Sequence, residues 1–315
     1  MGTLSDRKLQ PYQSFILITV VMIIFLSVQV GGIFIFKDNI YLYQVLCEVV
    51  GLAMPVLIFM LATKRVKENI HIRSVSGKNL ITIISIIVLF IPVSMLLATL
   101  NMWVVENLFA TTSGLEDILV IDNFNDYLKS ILVMAVTPAI CEEIAFRTAF
   151  MSGLERLGKT LCFFFVSLFF SLAHMIPEKL LSTFALSILL CYFLYRTGSV
   201  LSAMLGHFMN NFIAITITYA SRNAPAEQES IELLKAYGLT EYGLSFIVWG
   251  ALSILLLPLI IILLKKFRKN TEKTKITIVK ETGMDGNTIA AFLPALTVFV
   301  TLVAIVIVSN VLTGY

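Results

Sequence analysis

The sequence predicts an all-α fold, a polytopic membrane helix bundle of about nine transmembrane helices, with eight as the alternative count. Of the 315 residues, 58% are hydrophobic and only 14% are charged, whereas a soluble domain carries about 25% charged residues. The mean hydropathy is +0.92. Several apolar stretches reach the roughly 20 residues that a helix needs to cross a bilayer. Backbone that faces lipid has to be helical, because its polar groups find no other partners there.

Nine apolar segments account for the predicted helices, and we expect them to form a single integral membrane domain over residues 1–315. They are residues 14–36, 40–63, 80–101, 129–152, 159–176, 180–196, 199–220, 243–264 and 288–312. The first is longer than the apolar core of a signal peptide, and no small-residue cleavage site follows it. We therefore interpret it as an uncleaved span.

The charged loops predict how these spans are oriented. The basic loop residues are Arg7, Lys8, Lys64, Arg65, Lys67, Arg73, Lys78, Lys265, Lys266, Arg268, Lys269, Lys273, Lys275 and Lys280. The acidic loop residues are Glu106, Glu116, Asp117, Asp122, Asp126, Glu227, Glu229, Glu232 and Glu241. On a nine-span count the basic loops share one side, which the positive-inside rule makes cytoplasmic. The N-terminus is then inside and the C-terminus outside. We expect the lipid bilayer as a partner and no nucleic acid.

Three charges stand side by side in the fourth segment, in the stretch "TPAICEEIAFRTAF". Ionisable residues within spans are costly and indicate function. Glu143 and Arg147 are four residues apart, so they share a helix face and can form a neutralising pair. Glu142 is rotated by about 100° from Glu143, and its own neighbour four residues on is Phe146. It has no such pairing explanation. The nearby Pro138 is expected to kink or loosen the helix.

Two later segments also carry polar residues. The fifth contains "FFSLAHM", with His174 on the face of Phe170, and the seventh contains "GHFMNNF", in which His207 and Asn211 are four residues apart. Taken singly, a histidine or asparagine in a span more often bonds a neighbouring helix. At a rise of about 1.5 Å per residue, however, all these groups lie at comparable depth, roughly 12–20 Å from the cytoplasmic helix ends. Together with Glu142 they predict one polar cavity.

Such a cavity has two chemical interpretations. Glu142 and His174 could activate a water between them, while His207 and Asn211 stabilise the oxyanion of a tetrahedral intermediate. Alternatively, Glu142 and the two histidines could hold a divalent metal, since two histidines and a glutamate are a known catalytic zinc set. Either arrangement would hydrolyse an amide bond. The sequence has no H-E-x-x-H zinc motif and no pair of intramembrane aspartates.

At these residues the sequence resembles the CAAX-protease and bacteriocin-processing (CPBP or Abi) membrane proteases, which include the type II CAAX prenyl endopeptidase. That family carries E-E-x-x-x-R, F-x-x-x-H and H-x-x-x-N or H-x-x-x-B on three core helices. This chain has "EEIAFR" at 142–147, "FSLAH" at 170–174 and "HFMNN" at 207–211, in the same order. The resemblance covers residues 125–220, the expected catalytic core helices.

The resemblance implies a role for each motif residue. Glu142 would activate water with His174 as its partner, Glu143 and Arg147 would support them, and His207 and Asn211 would stabilise the transition state. The family is usually described as metalloproteases, with zinc as the expected divalent metal. A metal-free glutamate mechanism is argued for it as well. The implied partner is a peptide or protein substrate near the membrane, and the prenyl group of the eukaryotic substrate is not carried over.

Two other function classes use the same residues. The carboxylate and histidines could relay protons in a proton-coupled transporter, although the inverted repeat common in transporters is missing from the sequence. A non-catalytic membrane scaffold is the second alternative, and the intact polar set argues against it. Glu48, in the second segment, is predicted to have a hydrogen-bonded packing role, with a substrate or proton-path role as the alternative. The sequence therefore predicts an intramembrane endopeptidase.

Overall fold

The structure is a computed structural model that describes residues 9–36, 39–64, 71–109, 121–222 and 240–313. These residues are helical with no strands, which confirms the all-α prediction. The helices are α1 (Pro11–Ile35), α2 (Ile40–Ala62), α3 (Gly77–Phe109), α4 (124–157), α5 (Lys159–Ala173), α6 (Leu180–Thr197), α7 (Val200–Ser221), α8 (Glu241–Asn270) and α9 (Gly286–Thr313).

Within this part of the chain, seven helices are long and apolar enough to cross a membrane, namely all except α4 and α5. Together with the predicted hydropathy this supports an integral membrane protein. Helix α5 has only 15 residues, and α4 is an interrupted helix that carries the three charges described above. The nine-span count and the orientation of the termini therefore stay predictions.

The charged loops meet at the two ends of the bundle. The backbone N–H of Arg73, before α3, donates to the Ser199 hydroxyl, and the Thr274 hydroxyl, after α8, donates to the Arg196 carbonyl. Both basic loops thus contact the turn between α6 and α7. At the other end, the Tyr242 hydroxyl of α8 donates to Glu106. The predicted loop residues Arg7, Lys8, Arg65, Lys67, Glu116, Asp117, Glu227, Glu229 and Glu232 lie outside the described residues.

A glycine allows the close approach of these loops. Gly198 ends α6 with a φ of +64°, in the left-handed region. A Cβ atom there would lie 2.8 Å from the Thr274 carbonyl oxygen and 3.4 Å from Arg73 Nη1. Glycine adopts this conformation without a steric penalty and leaves room for both neighbours.

Apolar packing holds α1, α2, α4, α5, α6 and α9 together, while α3 packs against α6, α7 and α8. A cluster of phenylalanine rings joins α1, α4, α5 and α9. Phe15 contacts Phe150, Phe165, Phe169 and Phe292 with ring centroids 5.4–5.7 Å apart. Aromatic pairs at such separations add about 0.5–1.5 kcal/mol to their burial. This core fixes α4 and α5 relative to each other.

Wide, π-helical turns interrupt two of the helices. In α2 the π-helical turn runs from Cys47 to Ala53, and in α4 two such turns, Ile131–Val136 and Ile144–Phe150, flank the α-helical segment Thr137–Glu143. Such turns are frequently found at functional sites. The predicted loosening near Pro138 is present, but the sequence did not predict turns of this type. The two glutamates lie at the end of the flanked segment.

Candidate active site

Three predicted residues from three helices converge on one point. Glu142 comes from α4, His174 follows α5 and His207 lies on α7. Nε2 of His174 is 3.9 Å from Oε2 of Glu142, and Nε2 of His207 is 4.0 Å from the same oxygen. The side chain of Glu142 is 12% exposed, and its Oε2 has no hydrogen-bond partner among the described residues. Groups at these separations can share one water molecule, since each hydrogen bond to it spans about 2.8 Å.

Second hydrogen bonds orient both imidazoles. Nδ1 of His174 lies 2.8 Å from the Phe170 carbonyl oxygen, and Nδ1 of His207 lies 2.9 Å from Oε1 of Glu143. A carbonyl or carboxylate oxygen only accepts, so Nδ1 carries the hydrogen in each ring. In the neutral imidazole, Nε2 then bears the lone pair, and in both residues this atom faces Glu142. Both Nε2 atoms are thus oriented toward the same carboxyl oxygen.

The predicted pair of Glu143 and Arg147 forms the buried support of this arrangement. Arg147 Nη1 lies 3.1 Å from Glu143 Oε1, and both side chains are fully buried. Arg147 Nη2 also donates to the Ser187 hydroxyl of α6 at 2.7 Å. Because Glu143 binds His207 as well, one carboxylate connects α4 to α7 while Arg147 connects α4 to α6. Buried charges are tolerated only with such pairing.

Phe170 packs between these groups. Its ring lies 4.8 Å from that of His174 and 5.7 Å from that of His207, measured between centroids. The Arg147 guanidinium is 4.1 Å from the Phe170 ring centroid, a cation–π contact. The phenylalanine of the second motif therefore fixes the positions of both imidazoles and the arginine, besides offering its backbone carbonyl to His174.

His174 differs from its predicted position in one respect. The prediction placed it inside the fifth span, but α5 ends at Ala173 and His174 is the first residue beyond it. Met175 has a left-handed φ of +53°, and Pro177 follows, which disfavours helix in the residue before it. The helix stops there for these reasons. The predicted contact with Phe170 is retained.

Asn211 is held against α4 by a bond that Pro138 makes available. Proline has no N–H and cannot donate to the carbonyl four residues earlier, which is that of Met134. Nδ2 of Asn211 donates to this Met134 carbonyl at 3.2 Å, and its Oδ1 accepts from Asn210. The structure thus brings together Glu142, His174, His207, Glu143 and Arg147, while Asn211 lies one helical turn beyond His207 with its own contact to α4.

The types of donor atom at this site fit zinc, but the distances between these atoms do not. Two imidazole Nε2 atoms and a carboxylate are zinc ligands, and the bonds at Nδ1 are the usual outer contacts of such ligands. Neighbouring ligand atoms around tetrahedral zinc are, however, about 3.3 Å apart for bonds of about 2.0–2.1 Å. In the described part of the chain, no three His, Cys, Asp or Glu side chains are grouped so that they could hold a metal ion. Zinc dependence therefore stays a prediction.

Sequence reasoning did not find two contributors to the site. Ser187 is a single serine in an apolar span, and no pattern distinguishes it from a lipid-facing one. The Met134 carbonyl has a signal, a proline four residues later within a helix, but its partner depends on tertiary packing. For Glu48, the predicted hydrogen-bonded role does not hold for Oε2, which is buried without a hydrogen-bond partner among the described residues.

Comparison with known proteins agrees with the geometry. Residues 124–213 match the family described as Rce1-like, type II CAAX prenyl endopeptidase. The match spans all six predicted site residues and ends within α7. No curated protein and no solved structure matches the chain. The resemblance that the three motifs predicted is therefore confirmed for residues 124–213, which are similar to the Rce1-like family.

Proposed function

We propose that this protein is an intramembrane endopeptidase in which Glu142 and His174 activate water to cleave a peptide bond. The Rce1-like match supports a CAAX-type intramembrane protease in general. The observation that carries the specific proposal is the convergence of the two imidazole Nε2 atoms on Glu142 Oε2, at 3.9 and 4.0 Å. A carboxylate oxygen beside an oriented imidazole can hold a water molecule and take its proton, which is what general-base hydrolysis requires.

In the proposed reaction, a water molecule is held between Glu142 and His174. Glu142 takes a proton from this water as its oxygen attacks the peptide carbonyl carbon. The C–N bond then breaks, and the proton passes from Glu142 to the departing amine. The water thereby gives its oxygen to the new carboxyl group, and the carboxylate of Glu142 is regenerated.

His207 and Asn211 would stabilise the oxyanion that forms during the attack. His207 donates Nδ1–H to Glu143, so it offers a second hydrogen at Nε2 only when the ring is protonated. Asn211 has a second N–H besides the one directed at Met134. Glu143 and Arg147 act through these groups and are positioning residues.

The test is the cleavage of a membrane-tethered peptide library by the purified full chain in detergent, with and without a chelator. Glu142→Gln keeps the shape of the side chain but cannot take the proton, and we expect it to abolish cleavage. Glu155→Gln is a matched control, because Glu155 is a buried glutamate near the C-terminal end of the same helix. It is 5% exposed. Glu155→Gln should cleave like the wild type.

Each outcome separates the candidate functions. Loss of cleavage only in Glu142→Gln supports the protease, and inhibition by the chelator would then show a metal requirement. Cleavage that survives in Glu142→Gln contradicts the proposed role. No cleavage by the wild type would favour the transporter or the scaffold, and proton uptake by vesicles containing the protein would distinguish those two.

A further inference from the structure

Glu48 is a second buried carboxyl group beside the candidate active site, and the proposed reaction does not use it. It lies in the π-helical turn of α2, Cys47–Ala53, which packs against the α4 segment Thr137–Glu143. Only 4% of Glu48 is exposed, and its Oε2 has no hydrogen-bond partner among the described residues. A buried polar atom without a partner destabilises the fold, and more so when it is charged. Its retention requires an explanation.

The neighbours of Glu48 indicate what is missing. That segment of α4 also carries Cys141 and Glu142, so the two carboxyl groups lie on helices that pack against each other. While both groups are ionised, Glu142 offers only another acceptor and cannot donate to Glu48. Oε2 of Glu48 and Oε2 of Glu142 both lack a hydrogen-bond donor among the described residues. A ligand that supplies an N–H or O–H group would satisfy these oxygens.

A peptide substrate brings such donors with it. A peptide bond has to leave the helical conformation before water can attack it, which frees backbone N–H groups that lipid and apolar side chains cannot satisfy. We propose that Glu48 is a substrate-contacting residue that accepts a hydrogen bond from a backbone N–H of an extended peptide beside the bond being cleaved. This inference rests on the proposed function and names the substrate class of the same site, an unwound peptide segment.

The test is a double-mutant cycle between enzyme and substrate, with the purified full chain and one cleaved peptide. A series of peptides carries a single N-methyl group at each backbone nitrogen in turn. The enzyme variants are Glu48→Met, which removes the acceptor but keeps the length, and Glu48→Gln, whose amide oxygen still accepts. Glu155→Met is the matched control at a buried glutamate near the far end of α4. Glu142→Gln runs alongside as the reference for the proposed function.

We expect one backbone nitrogen at which the effects of N-methylation and of Glu48→Met on kcat/KM are not independent. Methylation there should lower kcat/KM of the wild type by about 10- to 100-fold, the value of a hydrogen bond to a charged group. On the unmethylated peptide, the kcat/KM of Glu48→Met should be lower than that of the wild type by the same factor. Methylation should then lower the kcat/KM of Glu48→Met only a little further. Glu48→Gln should stay within a few-fold of the wild type. In Glu155→Met, methylation should cost as much as in the wild type.

Other results overturn the inference. At every methylated position, the loss of kcat/KM from methylation could simply multiply the loss from Glu48→Met. That result would show that Glu48 acts independently of the substrate backbone, as a structural or water-binding group would. A Glu48→Met protein that cleaves like the wild type would have the same meaning. If Glu48→Met does not fold, Glu48→Asp replaces it, because it withdraws the acceptor by about 1.5 Å. In all these cases the wild type still cleaves the peptide and Glu142→Gln does not, so the proposed function stands. Cleavage by Glu142→Gln, or no cleavage by the wild type, overturns the proposed function as well.

Discussion

Two arginine–carboxylate pairs with similar geometry lie in very different surroundings. Arg147 and Glu143 approach to 3.1 Å inside the bundle, with both side chains fully buried. Arg196 and Glu272 approach to 2.9 Å at the end where the basic loops meet, and the Glu272 side chain is 54% exposed. The first pair lies in the middle of the candidate site. The second joins the end of α6 to the loop after α8.

The difference shows what each pair is able to do. Water solvates Glu272 if its partner is lost, so the exposed pair contributes little and serves to position a loop. Water does not reach Glu143, so each partner there depends on the other. A buried pair is weak evidence for stability, because apolar residues of equal volume often pack as well. Its bonds to His207 and Ser187 give the buried pair a function that apolar residues could not provide.

The largest expected effect comes from breaking the buried pair. Arg147→Met leaves the Glu143 carboxylate buried without a cation, and we expect the free energy of unfolding to fall by about 3–5 kcal/mol. Unfolding in mild detergent, followed by circular dichroism, measures this loss. The double variant Arg147→Met with Glu143→Gln should recover much of the stability but should not recover peptide cleavage. A single variant as stable as the wild type would contradict this account of the pair.

A smaller effect is expected at Asn211, which lies one helical turn beyond His207 and carries no charge. Asn211→Ala removes the proposed oxyanion donor, and turnover should fall by about 10²–10³. It also removes the bond to the Met134 carbonyl, and such bonds in membranes contribute only about 0.6 kcal/mol on average. Steady-state cleavage beside a melting curve separates the two effects. Loss of folding in proportion to loss of turnover would mean that Asn211 is only structural.

The smallest effect is expected at the exposed pair and depends on pH. Hydrogen bonds from Lys275 and Arg196 lower the pKa of Glu272 from 4.5 to about 2. A lowered pKa stabilises the fold above pH 4.5, and this contribution is lost as the pH falls toward about 2. Glu272→Gln should therefore show a smaller fall of melting temperature than the wild type over that interval. Glu241→Gln removes an exposed acidic residue at the other end of the bundle. Its melting temperature should fall over this pH interval as much as that of the wild type.

Local spacing predicted the parts of the site that lie on one helix. Glu143 and Arg147 pair because four residues make one helical turn, and this holds even though a π-helical turn begins at Ile144. The three motifs also identified the residues that meet, since a polar group in an apolar span has few alternatives to another polar group. The all-α class followed from the apolar composition, because backbone that faces lipid has to be helical.

The contacts between helices could not be predicted. Whether His207 binds Glu142 or Glu143 depends on how α7 is rotated against α4, and nothing within either segment determines that rotation. The sequence likewise placed His174 inside a helix, because apolar residues continue to Ile176, whereas the conformation of Met175 ends the helix at Ala173. For Glu48 the sequence showed the charge but not the missing partner.

The two wide turns in α4 have a consequence for how related chains should be aligned. A π-helical turn amounts to one extra residue in an α-helix, and removing it rotates everything on one side by about 100° relative to the other. Such turns lie on both sides of the segment Thr137–Glu143. One-residue insertions and deletions are therefore expected within residues 131–136 and 144–150. They would change which flanking residues face the cavity, while Glu142 and Glu143 keep their mutual spacing.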